Sequence, residues 1–94
     1  MKAGTNLEKV LDSGSFAVTA EAGPPKGTSA RVVQRKGELL RPYCDAVNVT
    51  DNQTAIVRMS SLAGCVLLKQ EGVDPVMQMV TRDRNRIAIQ SDVL

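Results

Sequence analysis

The spacing of apolar positions changes several times along the chain, and each change marks an element. Leu7, Val10 and Leu11 fall at i, i+3 and i+4 after Asn6, a residue suited to an N-cap, and Gly14 can close the segment as a C-cap. A short helix is therefore expected first. Residues 16–20 (Phe-Ala-Val-Thr-Ala) lie between Gly14 and the Gly23-Pro24-Pro25 cluster, both of which interrupt regular structure, and read as a strand. Thr28 and Ser29 can cap a second helix, with Val32, Leu39, Leu40 and Tyr43 at i, i+7, i+8 and i+11. Lys36 interrupts that stripe and Arg41-Pro42 ends it. Residues 45–50 (Asp-Ala-Val-Asn-Val-Thr) give a second strand, followed by a polar, turn-like stretch over 51–54 and a loop reaching Arg58. Met59, Leu62, Ala63, Val66 and Leu67 then form a regular helical stripe that Gly72 closes. Residues 75–80 (Pro-Val-Met-Gln-Met-Val) lack alternation and read as a strand buried on both faces, as parallel sheets require. Asn85 can cap a last helix containing Ile87 and Leu94.

A helix followed by three strand-helix units argues for right-handed crossovers and a parallel sheet, an α/β fold. The strand ends at Glu21, Thr50 and Thr81 recur about every thirty residues, as a repeated unit would place them. A dinucleotide fold would put GxGxxG after the first strand, where this chain has Ala22-Gly23-Pro24-Pro25-Lys26-Gly27-Thr28. Two prolines remove amides that would cradle a phosphate, and Lys26 precedes Gly27, the reverse of a Walker loop. The pattern favours the first three β/α units of a parallel (β/α)8 TIM barrel, preceded by a short N-terminal helix. Such a barrel takes eight strands and roughly 250 residues, so residues 1–94 are expected to be the N-terminal part of a longer barrel domain. Alone, that part would expose an unpaired strand edge and an apolar sheet face, and is expected to be unstable or to self-associate as a homo-oligomer.

Composition narrows the partners. Twelve basic against ten acidic residues leave +2 without a block of like charge, and with one Phe and one Tyr there is no stacking platform, so nucleic acid is not expected. The two cysteines, Cys44 and Cys65, are not spaced as a metal pair and there is no histidine, so no zinc site is expected; both read as small buried hydrophobes. The start of the chain lacks the apolar run of a signal peptide, and no segment approaches the ~18 apolar residues of a membrane span. A cytoplasmic protein is expected.

Barrels of this type carry their chemistry at the C-terminal ends of the strands, and all three ends here are polar: Glu21, then Thr50-Asp51-Asn52, then Thr81-Arg82-Asp83. Gln78 interrupts an apolar strand. Facing the helices it would lose hydrogen bonds at a cost of about 1–3 kcal/mol, so it is expected to face the barrel interior, near a ligand or water. Each residue also has a plain alternative. Glu21 can be a solvated carboxylate paired with Lys26, Thr50 can cap a turn, and Asp51-Asn52 can be turn chemistry. The run from Arg82 to Arg86 reads as a solvated loop and helix start, or as a grip on an anionic substrate.

Val18-Thr19-Ala20-Glu21-Ala22-Gly23-Pro24-Pro25 resembles the first strand of methylenetetrahydrofolate reductases, which ends in a glutamate closely followed by two prolines. Ala46-Val47-Asn48-Val49-Thr50 resembles the family's second strand and Val76-Met77-Gln78-Met79 its third, with Thr-Asp-Asn-Gln and Thr-Arg-Asp-Arg-Asn after them as in bacterial and archaeal members. The resemblance implies a flavoenzyme that uses FAD to reduce methylenetetrahydrofolate to methyltetrahydrofolate. It implies Thr50 and Gln78 as flavin contacts and Glu21 as the general acid that protonates the folate nitrogen as its ring opens, a task requiring an apolar surrounding for Glu21. Two positions depart from well-studied bacterial members: Ala22 and Gly23 stand where those have phenylalanines, and Gln78 where they have a histidine. Both departures bear on the flavin pocket. The implied electron donor is NAD(P)H or, as in part of this subgroup, an iron-sulfur companion protein. The competing reading is a non-catalytic barrel or interaction module on the same scaffold.

Overall fold

The computed structural model describes residues 2–94, in which helices and strands alternate as α1 (Asn6–Asp12), β1 (Thr19–Ala22), α2 (Ala30–Leu40), β2 (Ala46–Val49), α3 (Ser61–Gln70), β3 (Pro75–Met77) and α4 (Arg86–Val93). A single 3-10 turn, Gln53–Ala55, lies between β2 and α3. The strands form a parallel sheet in the order β1-β2-β3, the arrangement expected for successive β/α units. The described residues thus form an α/β unit of a three-stranded parallel sheet and four helices, an arrangement consistent with the start of a barrel.

The pairing register decides what each sheet face carries. Ala22, Val49 and Met77 lie side by side, as do Ala20, Val47 and Pro75. Ala22, Val47 and Val49 join Val33 from α2, Cys65 and Leu68 from α3, and Val73 in the core, with Ala20 and Met77 packed against it. Because successive strand residues point to opposite faces, the row Glu21, Asn48 and Val76 must face away from both helices. Val76 is accordingly 39% exposed. The expectation that β3 is buried on both faces is corrected here, since helices cover only one face of the sheet among the described residues.

Local rules placed the helix ends well. Gly14 and Gly72 adopt positive φ (72° and 78°) just past α1 and α3, where a left-handed residue is needed, and the Asn85 side chain accepts from the Ala88 N–H at 2.9 Å to cap α4. One cap shifts by a residue: Thr5, not Asn6, accepts from the Glu8 N–H, at 3.2 Å. Asn6 is occupied elsewhere, donating its N–H to Asp74 Oδ2 at 2.7 Å and its side-chain amide to Asp45 Oδ1 at 3.1 Å. Those two aspartates immediately precede β3 and β2, so α1 is fastened across the N-terminal ends of the strands. Strand limits moved as well. Phe16 is 90% exposed and unpaired, and pairing begins only where Asp45 N–H reaches the Val18 carbonyl at 2.7 Å, so β1 spans Thr19–Ala22 and includes Glu21.

The helix faces differ most from the sequence pattern. On α3 the buried residues are Ser61, Gly64, Cys65 and Leu68, whereas Leu62 and Val66 are each 50% exposed. Close approach selects this face: a Cβ on Gly64 would stand only 3.0 Å from Val49 Cγ1. On α2 the buried positions are Val33 and Gly37, and a Cβ on Gly37 would lie 3.2 Å from Leu68 Cδ2. Small residues let α2 and α3 settle against each other and the sheet, turning Val32, Leu39 and Tyr43 outward. Both cysteines are free; Cys65 is buried and its thiol is pushed up to about 11 by burial, while Cys44 is half-buried and donates to the Leu40 carbonyl at 3.0 Å.

Candidate functional site

The C-terminal ends of the three strands meet at one end of the sheet, opposite α1. Continuing the register by one residue past Ala22, Val49 and Met77 brings Gly23, Thr50 and Gln78 into a row on the open face. Two contacts agree with this. Gln78 N–H donates to the Val49 carbonyl at 3.1 Å, and a Cβ on Gly23 would lie 3.4 Å from Thr50 Oγ1. The open face therefore carries Glu21, Asn48 and Val76 in one row and Gly23, Thr50 and Gln78 in the next, about 6.6 Å further along the strands.

Glu21 and Gln78 are exposed on this face. No ion pair joins Glu21 to Lys26 among the described residues, and the apolar surrounding expected for Glu21 is not supplied by them: its in-register neighbour is Asn48. Asn48 shares the face and row of Glu21, a position that sequence reasoning left aside. The signal was there in Val47-Asn48-Val49, where alternation makes the one polar residue face opposite to two buried valines.

Thr50 is nearly fully buried, and its Oγ1 has no hydrogen-bond partner among the described residues. It caps no turn. An unpaired buried hydroxyl costs about 1–3 kcal/mol, so such groups persist where a further partner completes them. The oxygen lies beside Gly23, whose missing side chain leaves it uncovered on that side.

Asp51 overturns its reading as turn chemistry. Its carboxylate is wholly buried, accepting from the Val80 N–H at 2.9 Å, from Arg84 Nη1 in a short bond and from Arg84 Nη2 at 3.2 Å. Arg84, expected in a solvated loop, is mostly enclosed and also approaches Asp92 of α4 at 3.6 Å. Burial pushes the Asp51 carboxyl up, but the bonds from Arg84 and Val80 and the charge of Arg84 outweigh it, and the net displacement is downward. Arg82, by contrast, pairs with Asp83 on the exposed surface. The pair thus anchors the residues after β3 to the end of β2, beside both Thr50 and Gln78. Ser61 Oγ adds a second tie, donating to the Gln78 carbonyl at 2.7 Å.

A family model for methylenetetrahydrofolate reductase matches residues 6–94, nearly the whole chain. The chain belongs to the methylenetetrahydrofolate reductase family. No curated protein and no solved structure matches it. At the level of the family the function is that of a folate-related reductase, an oxidoreductase. Flavin is the group this family generally uses, and three features here fit one: the unpaired Thr50 hydroxyl, the exposed amide of Gln78 beside it, and the side-chain-free notch that Gly23 leaves between them and Glu21. No described helix is long and apolar enough to cross a membrane, and no cluster of potential metal ligands occurs among the described residues.

The buried pair makes a pH-dependent prediction. Asp51→Asn takes the buried carboxylate from Arg84, leaving it the more distant Asp92 at 3.6 Å, and should lower stability by about 1.5–3 kcal/mol near neutral pH. Because the folded-state carboxyl is displaced downward, the parent's advantage is complete above the unfolded value of about 4 and is lost as the pH falls through the lower folded value. Urea denaturation of both proteins near pH 7 and pH 3 should show the gap closing in acid; a gap independent of pH would contradict the assignment.

Proposed function

We propose that the open face at the C-terminal strand ends binds FAD and that the full-length protein reduces methylenetetrahydrofolate to methyltetrahydrofolate. The observation that carries this reading is the convergence of Glu21, Thr50 and Gln78 on one face at one end of the sheet, in a chain of this family. When bound, reduced FAD supplies the hydride. Thr50 contributes a hydroxyl with unused donor and acceptor capacity, and Gln78 an amide able to do either, so both can hold polar atoms of the ring edge. Glu21, one row further into the sheet, holds a proton at its carboxyl and delivers it to the folate nitrogen as the five-membered ring opens. The reducing equivalents come from NAD(P)H or an iron-sulfur donor protein, and the setting is cytoplasmic. A non-catalytic scaffold would give the unpaired Thr50 hydroxyl no task.

Two measurements follow. Substituting both Thr50 and Gln78 with alanine in the full-length protein should weaken FAD by on the order of 10-fold or more, since each removes a polar contact to the ring. An unchanged affinity in a flavin titration would remove both from the site. Glu21→Gln retains size but cannot donate a comparable proton. Reduction of the flavin by its donor should survive in that variant, while reoxidation by methylenetetrahydrofolate should slow on the order of 100-fold, read by stopped flow on each half-reaction separately. Reoxidation at the parent rate would leave Glu21 a solvated carboxylate.

A further inference from the structure

Directly after β1 the chain runs through the Gly23-Pro24-Pro25 segment, and the two prolines have no N–H to offer. Such a segment can be held in place by hydrogen bonds chiefly through its carbonyl oxygens. All three are taken. Lys36 Nζ on α2 donates to the Gly23 carbonyl at 2.6 Å, Arg58 Nη1 donates to that of Pro24 at 3.3 Å, and the Met59 N–H donates to that of Pro25 at 2.8 Å. Two of the three donors are full cations, and none of the ion pairs among the described residues includes either of them. Arg58 is itself fixed by its own N–H, which donates to Asn52 Oδ1 at 2.9 Å.

Lys36 is the residue that breaks the apolar stripe of α2. The cost of a half-buried ammonium on a helix that packs against the sheet is offset by a charge-assisted bond to a main-chain oxygen. The segment it holds lies beside Thr50 Oγ1 and begins two residues after Glu21.

We propose that Lys36 and Arg58 are positioning residues that clamp the segment at residues 23–25, and so set the distance between Gly23, the Thr50 hydroxyl and Glu21. Neither touches the reacting groups. The clamp acts through the main chain of Gly23 and Pro24, which is why it needs long cationic side chains reaching in from α2 and from the loop before α3. The inference rests on the flavin and folate reading of the same site.

The test uses the full-length protein and four single variants. Lys36→Met keeps the aliphatic stem and drops the charge; Lys36→Arg keeps the charge and a donor; Arg31→Met removes a different cation of α2, one paired with Glu38 on the exposed surface. FAD affinity, the rate of reoxidation by methylenetetrahydrofolate and the melting temperature are measured on each. Lys36→Met should weaken FAD and slow reoxidation, each on the order of 10-fold, while Lys36→Arg recovers most of both and Arg31→Met matches the parent. Lys36→Gln, which keeps a neutral donor, is a milder second variant and should move both readouts the same way. Two results overturn the clamp: Lys36→Met equal to the parent in both readouts, or equal losses in the Met and Arg variants. A lowered melting temperature with affinity and rate unchanged overturns it too, leaving Lys36 a purely structural contact. A parent protein that neither binds FAD nor is reoxidised by methylenetetrahydrofolate would sink the underlying reading instead, which separates the two failures.

Discussion

A carboxylate with no exposed surface needs a counter-charge and bonds to its oxygens, and Asp51 obtains these from Arg84 and the Val80 N–H. Its partners come from the segment after β3, so the end of β2 and the start of the β3-α4 loop cannot separate without stranding two charges. Thr50 immediately precedes Asp51, and Gln78 lies two residues before Val80. Both residues proposed to hold the flavin are thus kept in place by an interaction in which neither takes part. Isolated pairs of this kind add little net stability compared with apolar packing, and their value lies in fixing one arrangement.

The sheet is polarised along the strands and across its faces. At the N-terminal ends α1 is fastened through Asn6 to Asp45 and Asp74, and on one face α2 and α3 close over Ala22, Val47 and Val49. The face and end that remain carry Glu21, Asn48, Thr50 and Gln78. The helical support thus lies on the side away from the proposed site, while these polar residues share the open face and end of the sheet. The segment after β1 belongs to the same design, since its prolines stiffen it and its carbonyls are gripped from two directions.

Features governed by neighbours in sequence were legible: the order of elements, the glycines that end α1 and α3, and the Asn85 cap all follow from local backbone chemistry. The burial of α2 and α3 was not, because the faces are chosen by how closely Gly37 and Gly64 let the helices approach, and a stripe of larger apolar residues points the other way. Asp51 and Arg84 stand 33 residues apart, and each has a plausible local role, so nothing in the order of residues couples them. Asn48 was within reach of a strict alternation rule. Glu21, Thr50 and Gln78 were singled out because their spacing resembles a family pattern and because strand ends carry the chemistry in barrels; that they share one face follows from the register.

The placement of Thr50 and Gln78 depends on the coupling between Asp51 and Arg84, and a double-mutant cycle of Asp51→Asn and Arg84→Met in the full-length protein measures it most directly. Stability and FAD affinity are read for the parent, both single variants and the double variant. The expected result is an interaction energy of at least about 1.5 kcal/mol in stability, with FAD affinity falling in each single variant although neither residue contacts the flavin. Additive effects within about 0.5 kcal/mol, with FAD affinity unchanged throughout, would contradict it.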